Sequence, residues 1–569
     1  MRRLIVISSL ASIFLLSTIL VYGKASNSAP DLRYYRAKAA DPLPARVMDF
    51  LQNRSSDGTA EVWVFFTDKG FTDAATFQRA QAAYSHMFTE RAMKRREKSG
   101  ITEIRLSDLP VSGNYVRILK SVGANIHRTS RWLNAAAITV NIDKLSWIAA
   151  QTFVQEIEPV AHYKRIEPSL NKGAQQPPSE GEALGSNSLS YGSSFGQLQQ
   201  INVPICHDSG YAGQGMMIAM FDTGFRTSHS AFSTIISEGR LIAKYDFVFG
   251  DTIVDNEAAD VSSAWSHGTS TWSATGGEAP GSMYGPAYEA SFVLCKTEDV
   301  RSETQVEEYN WVAALEFSDS LGVDIVSSSL SYSDWYTSSD YDGNTCVTTV
   351  AADMAAQNGM LIVNSAGNSG PSPSTLGAPA DADSIMTIGA VNSSGTIASF
   401  SSRGPTADGR IKPEVCAQGV SDVLASSSGD FSFTTGSGTS FSCPLTAGAA
   451  AIVWGANPSW TNMQVREALM QTANNAATPN NTYGWGIIDA WAALHYSFAP
   501  PFIPGDADGN GTISVGDAVY IINYIFAGGA PIVPSAAGDA DCSGDISVAD
   551  AVYIINFIFG GGPAPTTCP

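Results

Sequence analysis

Four short runs between residues 198 and 498 are apolar on both faces: Met217–Phe221, Ala290–Leu294, Ile325–Ser328 and Met360–Val363. A strand with no polar face must be covered on both sides, which is the condition of a buried parallel sheet. Helical stretches at Val306–Ser320 and Thr349–Asn358 lie between these runs. The segment is therefore expected to fold as α/β, with a parallel sheet and right-handed crossovers. The whole chain has 569 residues, room for roughly three to four folded units.

Charge divides the chain. Residues 1–172 hold 24 Lys and Arg against 15 Asp and Glu, a net of +9. Residues 173–569 hold 9 bases and 39 acids, a net of −30, and no Lys or Arg follows Arg466. Parts of opposite sign attract, so the front is expected to dock on the rest. The total of −21 disfavours a nucleic-acid partner.

At the start, Arg2 and Arg3 precede an apolar stretch from Leu4 to Val21, and Val21-Tyr22-Gly23 ends it. This reads as a signal peptide over 1–23, with no other membrane span and a secreted or cell-surface destination. Residues 24–172 form the basic front. Its compact unit, about 60–160, has expected strands at Glu61–Phe66 and Ala136–Ile142. Helices are expected at Thr72–Lys98, from Pro110 to Leu119, and at Leu145–Gln151. Gly, Pro, Ser and Gln dominate 173–197, a linker composition.

Three local signals sit in 198–498. Asp222-Thr223-Gly224 follows a strand, whereas His267-Gly268-Thr269 and Gly438-Thr439-Ser440 each precede a helical stretch. Working residues of open parallel sheets gather at the carboxyl ends of strands. A serine hydroxyl needs a base near neutral pH, and that base needs a carboxylate to fix its tautomer. Asp222, His267 and Ser440 supply these groups. Cys443 reads as a small buried residue. His86, His127, His162, His207 and His495 lack motif context and read as core or surface residues.

In their order and context these motifs resemble the subtilisin-like serine peptidases, over about three hundred residues. Ile218–Phe225 fits the aspartate motif, with His229 at its polar end. Gly438–Pro444 fits the serine motif, and His267–Trp272 fits the histidine motif except at Thr271, where the family usually has a small aliphatic residue. The resemblance implies that Asn368, in Asn364-Ser365-Ala366-Gly367-Asn368, donates to an oxyanion together with the Ser440 backbone N–H. It also implies that Ser329, Leu330, Ser331 and Gly367 bind substrate backbone by β-augmentation. Tyr332 stands where glycine usually follows and is expected to reshape the substrate pockets. Residues 60–160 resemble the family's inhibitory propeptide, so autoprocessing between about Val160 and Ser194 is expected. The activity implied is peptide-bond hydrolysis in protein or peptide substrates. The alternative is a scaffold-attached peptide-binding protein without catalysis.

Residues 502–569 repeat with a period of 33 residues, Asp506 recurring as Asp539. Asp506-x-Asp508-x-Asn510-Gly511-Thr512 and Asp539-x-Asp541-x-Ser543-Gly544-Asp545 have the alternating oxygens and sharp-turn glycine of an EF-hand-like loop, closed by Asp517 and Asp550. Seven Asp with no Lys or Arg call for a cation. Loop plus helix, twice, resembles a type I dockerin. That implies a small all-α calcium-binding domain and a cohesin-like partner, with calcium open also for the catalytic domain. Ile522, Ile525 and Phe526, with Ile555, Ile558 and Phe559, are expected in its core. Of seven cysteines, Cys542 and Cys568 share this module and are the expected disulfide; no pair has zinc-ligand spacing.

Overall fold

The computed structural model describes residues 38–161, 169–170, 188–301, 308–498, 502–566 and 568. The expected signal peptide, most of the linker and His162 lie outside them. The chain divides after Leu494 into two units.

Alternation builds the front of the first unit. Strands β1 (Thr59–Phe66), β2 (Asn125–Ser130), β3 (Ala135–Asn141) and β4 (Val154–Pro159) form an antiparallel sheet in the order β2-β3-β1-β4. Val62, Val64 and Phe66 of β1 face this domain's own core, with Ile138, Leu119 and Ile148. Trp63 and Phe65 face the other way. They share a hydrophobic cluster with Trp311, Val312, Val347 and Ala351 of the second domain. The single helix expected at Thr72–Lys98 is two, Ala74–Tyr84 and Glu90–Lys98. Asp73 caps the first and Thr89 the second through side-chain oxygens, so Thr89 is a restart signal inside the periodic stretch.

A parallel sheet lies behind this front. After the two-residue β5 (Ser169–Leu170) come β6 (Met217–Asp222) and β7 (Leu241–Asp246), then a small hairpin of β8 (Glu278–Ala279) and β9 (Met283–Tyr284). They are followed by β10 (Ser291–Lys296), β11 (Ile325–Ser328), β12 (Leu361–Ser365), β13 (Met386–Val391) and β14 (Val415–Gln418). The seven-stranded order is β14-β13-β12-β11-β6-β10-β7, parallel throughout. Helices Glu308–Leu321 and Val347–Gln357 pack in the same cluster as Trp63 and Phe65. The helix Thr439–Ala456 is buried from Thr439 to Trp454. A hairpin of β15 (Asp422–Ala425) and β16 (Phe433–Ser437) leads into it, and β5 pairs antiparallel with β16. Within the expected linker, Tyr191 is buried, and Gln197 exchanges two hydrogen bonds with the backbone of Val423.

The expected attraction between front and remainder takes a specific form. Arg95 and Arg96, on the helix Glu90–Lys98, meet Asp319 in full burial; Arg96 also holds Asp108 at 2.5 Å. Arg91 reaches Asp324, and Arg46 and Arg54 reach Asp340 and Asp334 at 3.1 and 2.6 Å. Glu308 is wholly buried in the seam, accepting from Trp63 Nε1 at 2.8 Å and Tyr336 Oη at 3.0 Å.

The second unit is a pair of helices, Val515–Phe526 and Val548–Gly560, closed by the disulfide Cys542–Cys568. Its core centres on Ile521 and Ile554 with Ala518, Ala551 and Ile532. Ile522, Ile525 and Ile558 pack at its edge, whereas Phe526 and Phe559 are 71% and 73% exposed and Ile555 is 37% exposed. The sequence expectation for these three is corrected. Two short helices bury one narrow stripe each, and Phe526 and Phe559 lie off that stripe. Among the described residues, no helix is long and apolar enough to cross a membrane.

Candidate active site

The strand β6 ends in Asp222, buried beneath the start of the helix Ser266–Gly276. His267 is the second residue of that helix, and its Nδ1 lies 2.7 Å from Asp222 Oδ1. The glycine that follows explains the fit: a Cβ on Gly268 would sit 2.1 Å from the Gly224 carbonyl oxygen and 3.0 Å from Asp222 Cβ. Oδ1 also accepts from the Thr223 backbone N–H at 2.8 Å. Oδ2 accepts from Thr271 Oγ1 at 2.8 Å. Burial pushes this carboxyl up, but the His267 imidazole and the hydrogen bonds from His267, Thr223 and Thr271 hold it below its ordinary range.

Ser440 is the second residue of the helix Thr439–Ala456, whose N-terminus favours developing negative charge. The ring of Phe441, its neighbour, lies 6.0 Å from the His267 ring. Ser329 Oγ donates to the Ser440 carbonyl at 3.0 Å, which ties the end of β11 to the serine. An open cleft brings together Ser440, Asn368, Gly367, Ser329, Leu330 and Ser331. Gly367 adopts φ 101°, which L side chains rarely do. The Asn368 oxygen accepts from Thr439 N–H at 2.9 Å and Thr439 Oγ1 at 3.0 Å. Its amide NH2 is thus the end left with donors for the cleft.

Tyr332 differs from expectation. Its ring is buried and its hydroxyl donates to Glu298 at 2.7 Å, so the side chain is spent on the core rather than on the cleft lining. Cys443 is buried beneath the serine, and burial pushes its thiol up to about 12. It is an inert packing residue. His207 is buried against Tyr191 and the Pro286 carbonyl, and burial pushes it down to about 4. His229 is also buried, its Nε2 donating to the Ser432 carbonyl and its Nδ1 accepting from the Ala231 N–H rather than facing the cleft. The sequence motifs did not reveal Thr271 as a partner of Asp222. The available signal was its departure from an aliphatic pattern.

Three acidic groups among the described residues are close enough to share a cation. Asp246, Asp251 and Glu257 lie in the catalytic domain, where Lys296 Nζ already sits 2.8 Å from both Asp246 and Asp260. The other two groups are Asp506, Asp508 and Asp517, and their repeats Asp539, Asp541 and Asp550. In each loop backbone N–H groups converge on the first Asp: Asn510 and Gly511 on Asp506, and Ser543 and Gly544 on Asp539. Burial, with the charge of Asp541 nearby, holds the Asp550 carboxyl above its ordinary range. Crowded hard oxygens with no cationic side chain fit a divalent cation such as calcium. Asn510 Oδ1 is engaged by Thr512 N–H and Oγ1, and Asp545 stands outside the group of three.

Fold and cleft define a class, the serine peptidases built on a parallel α/β sheet. The sequence matches the subtilase family over residues 213–486, a Bacteroidota peptidase S8 propeptide domain over 61–177 and the dockerin type I domain over 504–559. It is 30% identical over 381 residues to subtilisin E of Bacillus subtilis (strain 168), covering 66% of this chain and 84% of that one. It is 32% identical over 299 residues to subtilisin of Bacillus pumilus, covering 52% and 97%. Serine protease AprX of Bacillus subtilis (strain 168) is 29% identical over 304 residues, covering 49% and 66%. The chain belongs to the subtilase family of serine peptidases, with an S8 propeptide ahead of the catalytic domain and a type I dockerin behind it.

Proposed function

We propose that this chain is the precursor of an exported serine endopeptidase that cuts peptide bonds through an acyl-enzyme formed on Ser440. The observation behind this reading is the 2.7 Å bond between Asp222 and His267, buried beside the cleft that Ser440 lines. His267 Nε2 takes the proton from Ser440 Oγ as that oxygen attacks the substrate carbonyl, and Asp222 stabilises the imidazolium. The proton then passes to the leaving amine. Water, deprotonated by the same imidazole, releases the acyl group. The Asn368 amide and the Ser440 backbone N–H face the negative charge that develops on the carbonyl oxygen. Ser329–Ser331 and Gly367 hold the substrate backbone.

The first substrate is the chain itself. Ser169 pairs with Ser437 and Leu170 with Gly436, antiparallel to the strand that runs into Ser440. We place the processing cut between about Val160 and Ser194, which makes the front the propeptide, 24–172, and releases the catalytic domain, 198–498, with the module behind it. In the module 502–569, the Asp clusters hold calcium, and the ordered helix pair binds a cohesin-like partner that attaches the exported enzyme to a scaffold or surface.

The test uses an alkyl fluorophosphonate probe. The purified enzyme is expected to be labelled at Ser440. Ser440→Ala should take up no label, turn over no peptide and remain an uncut precursor by N-terminal sequencing. Normal processing in Ser440→Ala excludes self-cleavage, and an unlabelled but correctly folded parent favours the peptide-binding alternative.

A further inference from the structure

We propose that Thr271 is a positioning residue for the reaction: its hydroxyl clamps Asp222 from the oxygen that His267 leaves unused. This rests on the reading of Asp222, His267 and Ser440 given above. Thr271 stands four residues after His267, so both side chains lie on one face of the same helix. They embrace one carboxylate, His267 at Oδ1 and Thr271 at Oδ2, at 2.7 and 2.8 Å. All three residues are at most 2% exposed, so water does not substitute for a missing donor.

A hydroxyl has one proton. The Thr271 hydroxyl also lies 3.2 Å from the Gly268 carbonyl, but the carboxylate is nearer and charged, and it is the stronger acceptor. Among the described residues, Thr271 is the side chain that donates to Oδ2. The clamp fixes the plane of the carboxylate and draws negative charge away from Oδ1. Asp222 therefore presents a fixed but moderated partner to the imidazolium.

The other titratable groups around the pair leave the pH readout clear. Cys443, from the serine helix, is pushed up to about 12 by burial. Lys296, beside Asp222 on β10, is turned to Asp246 and Asp260.

Thr271→Val keeps the shape and removes the hydroxyl, and Thr271→Ser keeps the hydroxyl. Thr271→Val should lower kcat about three- to thirtyfold, with KM within about twofold of the parent. It should also move the acid limb of kcat/KM upward, because Oδ1 becomes the more negative partner of the imidazolium. Thr271→Ser should restore both. An unmoved acid limb in Thr271→Val, whatever happens to kcat, assigns the residue to packing and overturns the proposal. So does Thr271→Ser behaving like Thr271→Val. Ser440→Ala in the same assay keeps the two readings apart: turnover there sinks the Ser440 assignment, whereas Thr271 is judged only against an inert Ser440→Ala.

Discussion

Asn368 illustrates how one side chain is divided between two tasks. Its oxygen is spent on Thr439, next to the nucleophile, and its NH2 remains for the cleft. The anchor aims the donor before substrate arrives, so little reorganisation accompanies the reaction. Asn368→Ala is expected to lower kcat by about 10²–10³ with a much smaller change in KM. Steady-state kinetics on a peptide substrate test this, and a loss confined to KM would place the residue in ground-state binding instead. Asp222 shows the complementary principle. Buried with no donors it would be driven towards neutrality, and three donors keep it charged at the pH where His267 must act.

Among elements, legibility in the sequence followed burial on two faces. β6, β10, β11 and β12 are apolar or small except for Asp222, Lys296 and Asn364 near their ends, and the sequence places each within two residues. β13 was missed because Thr387 and Gly389 dilute it, β14 because it lacks the paired β-branched residues that mark the equally short β11, and β7 because an edge strand is half exposed and mixed in character. The motif residues at strand ends were legible because hydroxyl, imidazole and carboxylate leave few alternatives in that order. Thr271 was not, since its role depends on a distance between two elements. The same scale governs the dockerin helices. Ser514 with Asp517, and Ser547 with Asp550, form capping boxes, so the Asp that closes each acidic loop also starts the helix that follows. Loop and helix are thereby coupled. Far-UV circular dichroism of fragment 502–569 should lose helical signal in EDTA and regain it with excess calcium. An unchanged spectrum would separate helix formation from the ion.

For the molecule as a whole, the propeptide is held by a two-faced sheet and a buried ionic seam. Trp63 and Phe65 supply area, and the arginines of Glu90–Lys98 supply orientation. Glu308 gives the seam a pH dependence. Burial pushes its carboxyl up to about 7 from an ordinary 4.5, against hydrogen bonds from Trp63, Tyr336 and Ala161. A docked carboxyl that keeps its proton favours the closed precursor below pH 4.5, and that advantage drains away as pH rises to about 7. The full shift corresponds to about 3 kcal/mol. In a Ser440→Ala background, Glu308→Gln should therefore flatten the fall in melting temperature between pH 5 and pH 8. Parallel pH slopes for the two proteins would assign the effect elsewhere.

The two residues of β5 lie along the open margin of β16, a stone's throw from the nucleophile in sequence, and they are joined to it through main-chain atoms. With a cut beyond Leu170, that margin becomes a bare rail of amide and carbonyl groups. A rail of this kind reads the spine of a visiting polypeptide and is indifferent to its lettering.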